Sequence, residues 1–183
     1  GGSTDGSSGG RTAATEGYDG TSWSSRPNLG TSRRLGGGAG STNKEAMYHG
    51  GYTTTDISLT EEFTVSVTET TGGAWASGGN LGTGRYVLAG AGTQTAGLGF
   101  GGYGGAIKDE TEEYNGTSWS EQNDLNTGRF NLAGFGTQTA ALACGGLTAP
   151  NTAVTEEYNG TSWSEQNDLN TARGRLSGAG TQT

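Results

Sequence analysis

Residues 112–129 read EEYNGTSWSEQNDLNTGR, and residues 156–173 repeat them as EEYNGTSWSEQNDLNTAR with a single change. Weaker copies surround two further tryptophans, so the phrase W-x5-L-x-T-x-R occurs four times in the chain. It begins at Trp23, Trp75, Trp119 and Trp163, which lie 52, 44 and 44 residues apart. Periods of this size are typical of solenoids and propellers. The sequence therefore predicts a repeat architecture that covers the whole chain.

The segment after Arg129 predicts four short strands separated by turns. Small residues alternate over 130–136, a second small apolar run covers 140–144, and a third run covers 155–158. An Asn-Gly pair, a strong hairpin signal, then precedes Trp163. Four short strands in a repeat of about 44–52 residues indicate one blade of a β-propeller. We expect Trp119 and Trp163 to occupy equivalent, largely buried positions in successive blades.

The whole chain, residues 1–183, divides into four units at approximately 1–49, 50–100, 101–144 and 145–183. The second unit is longer, and its additional residues near 64–73 are expected to lengthen one hairpin. Joining the two ends of the chain would leave one blade short of a strand. We therefore expect a segment of a larger propeller or array, whose first and last residues are not natural termini. A closed ring of four blades is the alternative.

Composition and charge exclude several functions. The formal net charge is −8, and the ten basic residues are scattered, which argues against nucleic-acid binding. No apolar run approaches the length of a membrane span, so we expect no membrane insertion. His49 is the only histidine and Cys144 the only cysteine, and both are expected to pack rather than react. We therefore predict no catalytic residue, no metal site and no cofactor.

Adjacent glutamates recur with the repeat, at 61–62, 112–113 and 156–157. They could form an acidic ring that binds a cation, or one of each pair could bind the repeated arginine. We favour a third interpretation, in which they lie on an edge strand whose exposed charge blocks pairing with other chains. The Asn-Asp pairs at 123–124 and 167–168 could ligate Ca²⁺, but no complete ligand loop surrounds them, and a turn role is preferred.

The order of the repeated residues resembles the kelch motif. A diglycine is followed by a variable loop, an aromatic residue, a tryptophan about five residues later and an arginine before the next strand. The diglycines are Gly50-Gly51, Gly101-Gly102 and Gly145-Gly146, and the tyrosines are Tyr18, Tyr114 and Tyr158, with Phe63 as the departure. The resemblance covers essentially the whole chain. It implies an all-β, kelch-like β-propeller but not a particular function, because such propellers serve several.

The wording of the last two units is also similar to kelch-like repeats in virion and tail-associated proteins of aquatic bacteriophages. This resemblance implies a non-enzymatic structural and recognition module of a tail fibre, spike or surface appendage, located on a virion or outside the cell. Its partners would be other virion subunits or a host-surface glycan or protein. The alternative is a bacterial extracellular adhesion propeller. A carbohydrate-active enzyme comes third, because nearly every polar residue recurs, which is typical of architecture.

Differences between the units are concentrated in segments 3–14, 52–59, 103–110 and 147–154. All of them join the second and third predicted strands, and equivalent connections in a propeller emerge on one face. Loops on a rigid scaffold commonly carry function. The residues predicted to bind a glycan or protein on this face are Tyr52, Tyr103, Lys108 and Asp109. The alternative is that these segments are tolerated surface variation.

Overall fold

The chain was analysed as a computed structural model, which describes residues 2–3, 10–42, 44–65 and 74–182. This part of the chain forms short β-strands and contains no helix, as predicted. The strands are β1 (Gly2–Ser3), β2 (Arg11–Thr12), β3 (Thr15–Tyr18), β4 (Trp23–Arg26), β5 (Gly37–Thr42), β6 (Glu45–His49), β7 (Thr60–Thr64), β8 (Ala74–Ser77), β9 (Ala89–Thr93), β10 (Ala96–Phe100), β11 (Thr111–Tyr114), β12 (Trp119–Glu121), β13 (Ala133–Thr137), β14 (Ala140–Cys144), β15 (Thr155–Tyr158) and β16 (Trp163–Glu165).

Three four-stranded antiparallel sheets follow one another along the chain. We call them the first sheet (β5 to β8), the second sheet (β9 to β12) and the third sheet (β13 to β16), and in each the strands pair in chain order. The pairs β3–β4 and β1–β2 form two-stranded sheets. The predicted unit of four short strands is thus confirmed. The sheets span 37–77, 89–121 and 133–165, so each draws strands from two of the units assigned above.

The hairpins before the tryptophans are closed by a side chain. Asn115 Oδ1 accepts hydrogen bonds from the backbone N–H groups of Thr117 and Ser118, and Gly116 has a φ of 89°. Asn159 caps the equivalent turn in the same way. These contacts fix the register in which Tyr114 faces Trp119 and Tyr158 faces Trp163. The predicted Asn-Gly turns are therefore present.

The first strands of the three sheets, β5, β9 and β13, are packed side by side. Small residues are needed there because the backbones are so close. A Cβ atom on Gly90 would lie 2.8 Å from the carbonyl oxygen of Gly38, and one on Gly134 would lie 2.6 Å from the ring of Phe100. The core is built around this contact by alanines, leucines and aromatic residues such as Leu98 and Phe100.

A repeated backbone contact just before these strands links successive units. The N–H of Val87 donates to the carbonyl of Leu35 at 2.6 Å, that of Asn131 to Val87 at 2.9 Å, and that of Arg175 to Asn131 at 2.7 Å. All four residues have φ between 50° and 62°. The same backbone hydrogen bond therefore links each unit to the next.

Of the predicted longer hairpin near 64–73, residues 66–73 lie outside the described part of the chain.

Candidate functional site

Three of the four repeated arginines are buried in ion pairs. Arg33 Nη1 lies 3.2 Å from Glu61 Oε1, Arg85 Nη2 lies 3.0 Å from Glu112 Oε1, and Arg129 pairs with Glu156. All three arginine side chains are fully buried. Burial lowers the pKa of Arg33, and the Glu61 carboxylate opposes this effect. The repeat of arginine and glutamate is thus a structural pairing.

Each paired glutamate also holds the chain segment that leads into its sheet. Glu156 accepts hydrogen bonds from the backbone N–H groups of Asn126 at 2.8 Å and Thr127 at 3.3 Å. Glu61 and Glu112 accept equivalent bonds from Gly30 and Gly82. The edge-strand interpretation of the glutamate pairs is therefore wrong, because they lie on the third strand of each sheet, with a strand on either side, and their first member is buried.

The second glutamate of a pair serves the contact with the next sheet. The hydroxyl of Tyr158 donates to Glu113 Oε1 at 3.1 Å, across the boundary between the third and second sheets. Burial and the neighbouring carboxylate raise the pKa of Tyr158. Burial and Glu62 likewise raise the pKa of Tyr114 to about 12. Both tyrosines therefore remain neutral at physiological pH, and Tyr158 donates its hydroxyl proton to Glu113.

The tryptophans join successive sheets. Trp119 Nε1 donates to Thr60 Oγ1 and Trp163 Nε1 donates to Thr111 Oγ1, both at 2.9 Å. Trp75 makes the corresponding, longer contact with Thr15 at 3.4 Å. The predicted equivalence of Trp119 and Trp163 is confirmed. Trp163 is only 6% exposed, whereas Trp119 is partly exposed.

His49 packs, as predicted, against the indole of Trp119, with the ring centroids 5.0 Å apart. Its side chain is fully buried, and neither ring nitrogen has a hydrogen-bond partner in the described chain. Burial, followed by the charges of Arg85 and Arg33, lowers the pKa of His49 to about 3. Cys144 occupies the equivalent position in the third sheet but is only partly buried, which corrects its prediction as a buried residue.

The predicted binding loops adopt one repeated conformation. The N–H groups of Ile57, Lys108 and Thr152 each donate to the second glycine of the preceding diglycine, at 3.0, 2.9 and 2.9 Å. Isolated bridges pair the first loop residue with the residue after the repeated arginine, and these pairs are Arg34–Tyr52, Tyr86–Tyr103 and Phe130–Leu147. The connections within 52–59, 103–110 and 147–154 are therefore equivalent. Of segment 3–14, residues 4–9 lie outside the described chain.

These bridges place four aromatic rings in a continuous row, which we call the aromatic arc: Tyr52, Tyr86, Tyr103 and Phe130. Successive ring centroids are 5.4, 5.7 and 5.7 Å apart. The guanidinium of Arg34 lies 5.5 Å from the centroid of the Tyr52 ring and extends the row. All four aromatic side chains are partly exposed. The arc is a half-exposed apolar strip, bordered by phenolic hydroxyls and one cation.

Sequence reasoning found two members of the arc and missed the other two. Tyr52 and Tyr103 were predicted as binding residues, and Tyr86 lies between them and contacts both. Tyr86 and Phe130 were missed, although each directly follows a repeated arginine. The only signal at that position is that it holds an aromatic residue in two of the four units, whereas the other two have Arg34 and Gly174.

The two charged residues predicted for the site are engaged differently. Lys108 Nζ lies 2.7 Å from Glu110 Oε1, so its charge is partly neutralised beside the arc. Glu110 also lies 3.8 Å from the buried Arg85. The backbone carbonyl of Asp109 accepts a hydrogen bond from Leu125, and its side chain is exposed. The structure therefore brings Tyr52 and Tyr103 together and places Lys108 in an ion pair.

The described residues form neither a metal-binding cluster nor a membrane-spanning helix. No group of three or more histidine, cysteine, aspartate or glutamate side chains is arranged to hold a metal ion there. That part of the chain also contains no helix with the length and apolarity needed to cross a membrane. Among known proteins, no family model matches this chain and no curated protein matches it.

Proposed function

We propose that this chain is a segment of a kelch-like β-propeller that acts as a non-enzymatic recognition module. In this proposal the aromatic arc binds a glycan or a protein surface. The arc is the observation that carries the proposal, because it is a row of half-exposed rings contributed by two equivalent loops and by the residues that follow the repeated arginines. The setting we propose is a phage virion, in a tail fibre, spike or surface appendage.

Two observations support the propeller. The glycine-rich first strands line a shared passage of about 260 Å³, to which Gly38, Gly90, Gly134 and Gly178 all contribute. Residues from four successive units thus line one cavity, an arrangement that supports the proposal of a common propeller axis. In addition, the N–H groups of Gly51, Gly102 and Gly146, each in the loop between the second and third strands of a sheet, donate to the carbonyl of the repeated arginine that follows that sheet in the chain, at 2.8, 3.0 and 2.9 Å. Each sheet therefore makes the same contact with the segment that leads on to the next unit. Equal contacts between successive units are the property from which curved repeat proteins are built.

The chemistry of the arc favours an amphipathic ligand. Tyrosine side chains supply large, rigid contact area at low entropic cost and present an apolar ring with a polar tip. A sugar ring has the matching character, with C–H groups on its faces and hydroxyls around its edge. The arc is a strip rather than a deep cavity, which suits an extended glycan or a protein surface. The carboxylates of the third strands serve internal contacts, which supports a binding role over an enzymatic one.

A binding experiment with two matched tyrosine variants tests the proposal. The wild-type chain, Tyr86→Ser and Tyr18→Ser would be applied to a panel of immobilised bacterial surface polysaccharides and to intact bacterial cells. Tyr86 lies in the middle of the arc, whereas Tyr18 is an exposed tyrosine on β3. We expect Tyr86→Ser to weaken binding at least about tenfold, as for a central aromatic contact, and Tyr18→Ser to bind like the wild type. Unchanged binding by a folded Tyr86→Ser variant would contradict the proposal.

A further inference from the structure

The two Asn-Gly turns place a nucleophile and a carbonyl group side by side at the tips of two hairpins. Asn115 precedes Gly116 and Asn159 precedes Gly160, and no other asparagine of the chain is followed by glycine. Both asparagines are exposed. The backbone nitrogen of the glycine can attack the side-chain carbon Cγ of the asparagine, because glycine has no Cβ atom to hinder a close approach. The two groups belong to adjacent residues, so the reaction is intramolecular.

The glycine nitrogen is not engaged in either turn. No acceptor in the described chain receives a hydrogen bond from the N–H of Gly116 or Gly160. The turns are closed instead by the asparagines, whose own N–H groups donate to the carbonyls of Ser118 and Ser162 at 3.2 Å. The nitrogen of each glycine can therefore react without the loss of a hydrogen bond within the described chain.

The side-chain carbonyl of each asparagine is held by two donors. Asn115 Oδ1 accepts hydrogen bonds from the N–H groups of Thr117 and Ser118, both at 3.0 Å. The equivalent bonds of Asn159 measure 3.0 and 2.9 Å. Attack on Cγ places negative charge on Oδ1, and fixed backbone donors aimed at such an oxygen stabilise that charge, as in an oxyanion hole. The turn that caps the hairpin therefore also favours the reaction at its first residue.

We propose that Asn115 and Asn159 are sites of spontaneous deamidation in the folded chain. The glycine nitrogen loses its proton and forms a bond to Cγ, the bond from Cγ to Nδ2 breaks, and Nδ2 leaves with a proton as ammonia. The product is a five-membered succinimide ring. One water molecule then opens the ring. Addition of water at Cγ gives aspartate, whereas addition at the main-chain carbonyl carbon gives isoaspartate, whose backbone runs through the former side chain.

The first unit shows that the turn accommodates the aspartate product. Asp19 and Gly20 occupy the same place, and Asp19 Oδ1 accepts hydrogen bonds from the N–H groups of Thr21 and Ser22, both at 2.8 Å. The bond from Ser22, followed by that from Thr21, lowers the pKa of the Asp19 carboxyl. Conversion of Asn115 or Asn159 to aspartate therefore preserves the cap.

The isoaspartate product should instead disturb the contact between units, because it adds a methylene group to the backbone of the turn. Asn123, which follows β12, donates from Nδ2 to the carbonyl of Thr161 at 2.9 Å. The turn at Asn115 packs as closely on the preceding unit, since Gly79 has no room for a Cβ atom beside the carbonyl of Thr117. A longer backbone displaces both carbonyls, so the two products differ in their effect on the scaffold.

Peptide mapping by mass spectrometry tests this on the purified 183-residue chain, incubated in its folded state for several weeks at a series of pH values. We expect aspartate and isoaspartate to form at Asn115 and Asn159 at least about tenfold faster than at any other asparagine, a smaller factor than well-placed donors confer in enzymes. The rate should increase with pH, because the nitrogen attacks after losing its proton. Asn159→Asp supplies the standard that distinguishes the aspartate product from isoaspartate.

The matched variant is Gly116→Ala, whose added Cβ atom would meet no atom closer than 3.6 Å. It should slow the conversion of Asn115, since the methyl group hinders the attacking nitrogen, and leave Asn159 in the same molecule as the reference. Circular dichroism shows that each sample remains folded.

Three outcomes overturn the proposal. Asn115 and Asn159 could both keep their amides to the end of the incubation, they could convert no faster than the other asparagines, or Gly116→Ala could leave the rate at Asn115 unchanged relative to Asn159. Neither turn contributes a residue to the aromatic arc, so this inference and the proposed function can fail separately.

Discussion

Arg129 and Glu156 form an ion pair in which neither side chain is exposed to solvent. The arginine lies in the connection from the second to the third sheet, and the glutamate lies on β15. The guanidinium also donates to the carbonyl of Ala143 at 3.1 Å. One buried pair thus ties the incoming connection to both the second and third strands of its sheet. The equivalent pairs of Arg33 and Arg85 account for the repeated arginine in two further units.

Replacing the repeated arginine should destabilise the folded chain where the side chain is buried and have little effect on stability where it is exposed. We predict that Arg129→Ala lowers the free energy of unfolding by about 3–5 kcal/mol, because it leaves the Glu156 carboxylate buried without a positive charge beside it. The control is Arg173→Ala, at the same repeat position but exposed, which should cost less than about 0.5 kcal/mol. Urea denaturation measures both. Similar losses in the two variants would show that the ion pair does not stabilise the sheet.

The indole bond between sheets should appear as a coupling energy. Trp163→Phe removes the hydrogen bond to Thr111 and should cost about 1–2 kcal/mol beyond the lost packing, since the buried hydroxyl is left without its donor. In a double-mutant cycle with Thr111→Val, we expect a coupling of about 1 kcal/mol. Trp23→Phe, at the exposed position, should leave the free energy of unfolding nearly unchanged. A coupling energy close to zero would show that the bond between Trp163 and Thr111 does not stabilise the contact between the sheets.

His49 should make stability depend on pH. Its folded pKa of about 3 lies below the ordinary value of 6.5, so below pH 6.5 the unfolded chain takes up a proton that the folded chain does not bind. The contribution is complete above about pH 6.5, and stability is lost by about 1.4 kcal/mol per pH unit as pH falls from there toward 3.

The matched variant is His49→Phe, since phenylalanine occupies this position in the second sheet as Phe100. Between pH 6.5 and 4.5 the wild type should lose about 2–3 kcal/mol more than the variant. Guanidinium denaturation at a series of pH values measures the difference. Parallel curves for the two proteins would mean that His49 is protonated in the folded state as readily as in the unfolded state.

The close packing of the first strands gives another matched pair. Gly134→Ala places a Cβ atom 2.6 Å from Phe100 and 2.8 Å from the Cβ of Ala89, and overpacking of this kind costs about 1–3 kcal/mol. Gly38 occupies the same position in the first sheet, but its added Cβ would meet its nearest atom at 3.5 Å. We therefore expect Gly38→Ala to cost less than Gly134→Ala in thermal unfolding. The reverse order would contradict the packing described for β9 and β13.

The sequence allowed the strands and turns to be predicted because both depend on local signals. Alternating small residues lie within the strands themselves, and the Asn-Gly turns lie within a few residues of the strands that they connect. The role of the glutamate pairs could not be predicted in this way. Arg129 and Glu156 are 27 residues apart, and a repeat shows which positions recur without showing which of them touch. Sequence alone therefore places the glutamates on an exposed edge, whereas they lie one strand inside the outer edge strands β8, β12 and β16.

The site was predicted in part for a related reason. Tyr52 and Tyr103 stand out because they open variable loops. Tyr86 completes the row only because a backbone bridge brings the residue after Arg85 beside the loop that begins at Tyr103. A contact between two segments that are distant in sequence has no local signature. Lys108 and Glu110 are only two residues apart, but their pairing depends on the conformation of the folded loop.

A loop graft tests whether the repeats form a scaffold and recognition lies on the loops. Residues 103–110, YGGAIKDE, are replaced by the eight residues of 147–154, LTAPNTAV. The reciprocal graft is the control, because it leaves Tyr103 and the rest of the arc in place. Thermal unfolding and adsorption to bacterial cells or surface polysaccharides are measured on the same samples.

We predict that grafting over 103–110 changes the melting temperature by less than about 4 °C, equivalent to about 1 kcal/mol in a domain of this size. It should reduce binding at least about tenfold, because Tyr103 joins Tyr86 to Phe130 in the arc. The reciprocal graft should keep its binding. A folded graft over 103–110 that binds as well as the wild type would show that recognition does not depend on this loop.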